Sequence, residues 1–151
     1  SLTAAESAKI CQIEEKPLLT HRILLVEDNT INQLVGVRLL ESLGAEVDVA
    51  ENGYVALSLL QQVGINYDVV LMDLQMPVMD GYEATIAIRN GEAGEENKNI
   101  PIIAVTADVM ESTKERVIEI GMNKYLSKPI DKDLLFVSIK TLVDECGMAL
   151  S

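Results

Sequence analysis

Short apolar runs alternate five times with segments of helical period, and this alternation restricts what the chain can fold into more than any other feature. Strands are expected near residues 22–26, 46–50, 68–72, 101–106 and 124–127. The third run, Asp68-Val69-Val70-Leu71-Met72, is apolar almost throughout, as suits a strand covered on both faces. Between the runs lie helix signals. Asp28-Asn29-Thr30 supplies start chemistry, Ile31, Leu34, Val35, Leu39 and Leu43 follow at helical spacing, and Gly44 is placed to stop the helix. Asn52 caps a second helix with Val55, Leu59, Leu60 and Val63 on its apolar face. Asp80-Gly81 turns into a third over residues 82–89, a fourth covers 109–120 before Gly121, and a fifth covers 131–144 with Leu135, Ile139, Leu142 and Val143 inward. Strand–helix alternation with crossovers of this length predicts an α/β domain with a parallel sheet and right-handed connections.

Sheets of this kind bind ligands at the carboxyl ends of their strands. Three acids stand there. Glu27 and Asp28 follow Ile23-Leu24-Leu25-Val26, and Asp73 follows Val69-Val70-Leu71-Met72 just before the Pro77 turn. If the two runs are neighbouring strands, the carboxylates meet and repel one another unless a cation joins them. Oxygen ligands call for a hard divalent ion, and Mg²⁺ is the usual one beside phosphate chemistry. Capping of the next helix by Glu27 or Asp28 is the plainer reading, and one acid capping is compatible with metal binding. Thr106 and Lys128 also fall at or just after strand ends.

Composition narrows the function classes. The 151 residues suffice for one compact domain, and 48% hydrophobic content predicts a folded chain. With no Trp and 3% aromatics the core must be aliphatic. A formal net charge of −12 argues against binding nucleic acid or an anionic membrane. Cys11, Cys146 and the single His21 have no zinc-ligand spacing, and two lone thiols suit a reducing compartment. No apolar run approaches the ~18 residues of a membrane span. A cytoplasmic location is expected, as the cytoplasmic portion of a parent that could itself be membrane-anchored. Residues 1–21 read as a linker or a cloning remnant, with Ser1 in place of Met suggesting a piece of a longer chain. Residues 90–99 read as a polar loop with Glu92, Glu95 and Glu96 in solvent, and the methionines as packing residues.

Residues 22–146 resemble the receiver domain of two-component response regulators, leaving 147–151 as a tail. The resemblance is carried by Leu25-Val26-Glu27-Asp28-Asn29, by Met72-Asp73-Leu74-Gln75-Met76-Pro77-Val78-Met79-Asp80-Gly81, by Val105-Thr106-Ala107 and by Tyr125-Leu126-Ser127-Lys128-Pro129-Ile130. The wording around Asn32-Gln33 and Gly121-Met122 is nearest to receivers inside hybrid sensor histidine kinases. The family implies a flavodoxin-like (βα)5 three-layer sandwich with strand order 2-1-3-4-5. It implies that Asp73 accepts a phosphoryl group from a phosphohistidine, and that Mg²⁺ is held by Asp28, Asp73 and the Gln75 backbone carbonyl. Glu27 stands where many receivers have Asp, so it would act directly or through water. Lys128 would pair with a phosphoryl oxygen, Thr106 would be the switch hydroxyl, Ala107 would leave room for the phosphoryl group, and the Lys128-Pro129 bond would be cis. Tyr125 would follow Thr106 in the switch, with a half-buried structural ring as the alternative.

The implied partners are a histidine kinase or a histidine phosphotransfer domain, with no direct nucleic acid or membrane contact. A homodimer through the fourth helix, fifth strand and fifth helix is also open. Three other functions compete. An Mg²⁺-dependent aspartyl phosphatase would carry a second Asp two residues after the first, where this chain has Gln75. A flavin-binding domain would need a hydroxyl- and Gly-rich loop after the first strand, where this chain has acids. A partner-binding pseudo-receiver fits poorly with intact Asp73, Thr106 and Lys128. Between a hybrid kinase fragment and a stand-alone regulator, the resemblance favours the former.

Overall fold

The computed structural model describes residues 21–108 and 110–150, with side chains as far as 143. The expectations for the linker before residue 21, for the Cys11 and Cys146 thiols and for Ser151 fall outside the described residues. The elements are β1 (Arg22–Val26), α1 (Thr30–Ser42), β2 (Glu46–Ala50), α2 (Gly53–Leu60), β3 (Val69–Asp73), α3 (Gly81–Arg89), β4 (Ile102–Thr106), α4 (Glu111–Glu119), β5 (Lys124–Ser127) and α5 (Lys132–Leu150). All five strands are parallel, in the order β2-β1-β3-β4-β5. The flavodoxin-like order expected from the resemblance is the order observed.

Alternating side chains on the central strands feed two aliphatic layers. Leu24, Val26, Val70, Met72, Ile102 and Ala104 pack against α2, α3 and α4 through Ala56, Leu60, Ala84, Ile88 and Val117. Ile23, Leu25, Val69, Leu71, Ile103 and Val105 pack against α1 and α5 through Leu40, Leu43, Leu135, Ile139 and Leu142. Every residue of β3 is buried, Asp73 included. Its four apolar side chains contribute about 1.5–3 kcal/mol each by burial, enough to outweigh the cost of the acid beside them.

Local chemistry starts the helices. Asn29 and Asn52 accept the backbone N–H of Asn32 and Val55 at 3.0 Å each. Asp80 and Glu83 form a reciprocal capping box at the head of α3. Gly81 brings this helix close to the end of β3: a Cβ there would collide with the Asp73 backbone oxygen and lie 2.9 Å from Leu74 Cα. At the far end of α3, Arg89 donates to Gly121 O (2.9 Å), Lys98 O (2.9 Å), Ile100 O (2.7 Å) and Asn123 Oδ1 (3.0 Å). One guanidinium thus joins the segments on either side of β4 to α3.

Several boundaries and faces differ from expectation. On α1, Ile31, Leu34 and Val35 are exposed, while Gly36, Leu40 and Leu43 face the sheet. The reason is close approach: Gly36 packs so tightly on β1 that a Cβ would lie 2.7 Å from Leu25 Cδ2. Val63 is fully exposed because α2 ends at Leu60, and it shares no face with Val55, Leu59 and Leu60. β3 is one residue later than expected, since Asp68 lies before it and accepts Arg22 N–H at 2.8 Å. α4 begins at Glu111, and α5 runs past 144 to Leu150, so residues 147–150 continue the helix. The loop over 90–99 does expose Glu92, Glu95 and Glu96, yet it is built rather than open. Ala93 is fully buried, Glu95–Asn97 forms a 3-10 turn, and Asn97 Nδ2 donates to Leu60 O at 2.7 Å.

Candidate functional site

The register places the ends of β1, β3 and β4 side by side. Val26 pairs with Met72, and Met72 pairs with Ala104. The residues that follow therefore open onto a common rim. Glu27 and Asp73 are each 4% exposed, whereas Asp28 is open to solvent. One carboxylate oxygen from each of the three lies within 4.8 Å of the others. Lys128 reaches across from the turn after β5, with Nζ 3.0 Å from Glu27 Oε2 and 3.4 Å from Asp73 Oδ2. The peptide bond from Lys128 to Pro129 is cis, as expected. The hollow encloses about 210 Å³, and Glu27, Asp28, Asp73, Gln75, Ala107 and Lys128 line it.

Electrostatics explain why the cluster is poised for a cation. Burial raises the Asp73 carboxyl to about 6; the Gln75 N–H at 3.1 Å opposes this, Glu27 adds to it and Lys128 opposes it. Burial lowers the Lys128 ammonium, but Glu27 and Asp73 more than offset that and leave it raised, so it stays charged. Three acids face one cation. The excess of negative charge, carried entirely on oxygen, fits a hard divalent ion and offers nothing to a soft one.

Two expected residues lie apart from this hollow. Thr106 is 1% exposed, and its Oγ1 accepts the Asp108 N–H at 3.1 Å, so the hydroxyl is turned along its own loop. It lines a neighbouring cleft of about 400 Å³ bounded also by Gln75, Tyr82, Ser112 and Arg116. Gln75 is thus the wall shared by the cleft and the acidic hollow. The Tyr125 hydroxyl donates to the Asp108 carbonyl, and its ring is half-buried. Asp108 is held in turn by Met110 N–H at 2.9 Å and by the Thr113 hydroxyl at 2.7 Å. These contacts fasten the loop after β4 to α4 and β5.

Two side chains without an expected role also serve the site. Asn32 Nδ2 donates to Glu27 Oε1 at 3.4 Å, and Gln33 Nε2 donates to Glu27 O at 2.7 Å. Besides the Asn32-Gln33 wording of the resemblance, their spacing of five and six residues from Glu27 is the sequence signal: the first turn of a capped helix folds back over the strand end.

Residues 23–140 match the family model described as the response regulator receiver domain. The chain belongs to that family. As a receiver domain it is 47% identical over 111 residues to the Sensor protein GacS of Pseudomonas syringae pv. syringae, covering 74% of this chain and 12% of that protein. It is 41% identical over 135 residues to Hybrid signal transduction histidine kinase I of Dictyostelium discoideum, covering 87% of this chain and 8% of that one. The receiver thus spans about a tenth of the length of these curated relatives. Among solved structures it is similar to the receiver domain of sensor histidine kinase PA1611 from Pseudomonas aeruginosa PAO1, which has magnesium coordinated in its active site cleft. That likeness has a TM-score of 0.73 at 39% identity, over 82% of this chain and 98% of the other. It is also similar to a chain in the co-crystal structure of the Saccharomyces cerevisiae histidine phosphotransfer signalling protein Ypd1 and the receiver domain of its downstream response regulator Ssk1. Here the TM-score is 0.70 at 29% identity, over 81% of this chain and 88% of that one. The receiver is homologous to those of hybrid histidine kinases. No helix among the described residues is long and apolar enough to cross a membrane.

Proposed function

We propose that the Asp73 carboxylate accepts a phosphoryl group from a phosphohistidine on a partner protein, within a phosphorelay whose parent chain is a hybrid sensor histidine kinase. An Asp73 oxygen bonds to phosphorus as the phosphorus–imidazole bond breaks, leaving an acyl phosphate. The observation that carries this reading is the buried Asp73 at the tip of β3, set between two further acids and an ammonium that reaches it at 3.4 Å. Glu27, Asp28, Asp73 and the Gln75 carbonyl are the groups that would hold Mg²⁺, which when bound neutralises negative charge on the phosphoryl oxygens. Lys128 supplies a second positive charge for those oxygens once it leaves Asp73. Ala107, at the rim of the hollow, leaves space for them.

The geometry of the β4 end supports a switching role for Thr106. A new phosphoryl oxygen would draw the Thr106 O–H toward itself, rotating Oγ1 away from the Asp108 N–H that it now accepts. When Thr106 turns to donate to it, the loop loses one of its fastenings, and the Tyr125–Asp108 contact must readjust. An aspartyl phosphatase reading lacks support at Gln75, which has no proton to give a leaving group.

The test is phosphorylation by a phosphohistidine donor in Mg²⁺. Wild type takes the label in a base-labile form, as an acyl phosphate must, and Asp73→Asn takes none. Equal labelling of both proteins would remove Asp73 as the acceptor.

A further inference from the structure

Glu27 differs from the other two acids of the rim by one methylene, and so by one more rotatable bond to be fixed. Its carboxylate is nonetheless almost wholly buried and held on both oxygens. Oε2 takes Lys128 Nζ at 3.0 Å. Oε1 takes Asn29 N–H at 3.2 Å and Asn32 Nδ2 at 3.4 Å. Asn32 is itself set in place, because its backbone N–H is the one that Asn29 Oδ1 caps. Gln33, the next residue, anchors the Glu27 carbonyl. The first turn of α1 therefore grips Glu27 at both its backbone and its side chain.

We propose that Asn32 is a positioning residue for the metal site: with the Asn29 N–H, its carboxamide keeps Glu27 Oε1 turned toward α1 and leaves Oε2 to Lys128. The inference rests on the reading of Glu27, Asp28 and Asp73 as the Mg²⁺ ligand set. Without the carboxamide, Oε1 keeps only the Asn29 N–H, and the longer Glu arm regains part of the rotational freedom that metal binding must then remove. An aspartate at position 27 is too short to need that clamp.

The experiment is Mg²⁺ titration by calorimetry on the unphosphorylated protein, paired with thermal unfolding without Mg²⁺. Asn32→Ala should weaken Mg²⁺ binding about tenfold, in the range found when outer partners of metal ligands are lost. Its unfolding midpoint without Mg²⁺ should match wild type, because alanine retains the capped backbone N–H. In a Glu27→Asp background the same Asn32→Ala change should cost nothing, so the two substitutions are coupled. Wild-type Mg²⁺ affinity in Asn32→Ala, or an equal loss in both backgrounds, overturns the inference alone. Failure of wild type itself to bind Mg²⁺ overturns the metal reading of the three acids, and this inference with it.

Discussion

Burial, reinforced by the Glu27 carboxylate, moves the Asp73 carboxyl from 3.8 to about 6, and this has a consequence for stability as well as for chemistry. Between those two values the folded protein binds more protons at Asp73 than the unfolded chain does. Stability from this group therefore falls as pH rises from about 4 through 6, and the penalty is complete above 6. Asp73→Asn carries no such charge, and Lys128 keeps Glu27 as its partner at 3.0 Å. In the absence of Mg²⁺, Asp73→Asn should thus melt at a higher temperature than wild type at pH 7.5, with the gain shrinking toward pH 4. Scanning calorimetry across that range checks it. A variant that melts below wild type at pH 7.5 would contradict the proposed cost of the buried charge. The acid was legible in the sequence from its place after an apolar run. Its raised pKa was not, because that depends first on burial by the folded chain and then on Glu27 arriving from another strand.

At the level of elements, the strands were legible almost to the residue: β1 is an apolar run, β2 alternates apolar and polar residues, and β5 is a short segment after the Gly121 stop. α1 was harder. Periodicity reveals that Ile31, Leu34 and Val35 share a helix side, but it does not say whether that side meets the sheet. Gly36 settled the matter through its contact with Leu25, and a glycine carries no hydrophobic signal. The exposed trio lies on the helix that begins at the acidic rim, and Val35 together with Pro129 and Ile130 borders an apolar cavity of about 200 Å³ reaching Asp73 and Lys128. Docking of a phosphohistidine-bearing partner on this surface is an expectation that one substitution tests. Leu34→Asp should slow phosphoryl transfer from a protein donor about tenfold more than labelling by a small acyl phosphate, as expected when one apolar anchor in an interface is replaced by a charge. Rapid-mixing assays with both donors measure this, and equal slowing with the two would show that α1 supports the site rather than the partner.

For the whole molecule, twice as many acidic as basic side chains give a formal net charge of −12, with three of the acids drawn into one hollow. Two kinds of salt response follow. Raising NaCl from low concentration should increase the melting temperature by screening general repulsion, an effect that levels off as the Debye length falls to about 8 Å. Mg²⁺ at the same ionic strength should raise it further, by about 2.7 kcal/mol of stability at a hundredfold excess over its dissociation constant. Asp28→Asn should keep the first response and lose most of the second, which thermal melts at matched ionic strength will separate. The overall sheet order was legible through the family resemblance, because neither period nor length distinguishes β2-β1-β3 from other parallel arrangements.

Arg89 ties Gly121 and Asn123 to Lys98 and Ile100, at the end of the sheet opposite the acids. The trailing end of α4 is therefore nailed down, while its leading end follows the Thr106–Asp108 loop. A pull on that loop would be expected to turn α4 about Gly121, with the widest travel at Met110 and Glu111.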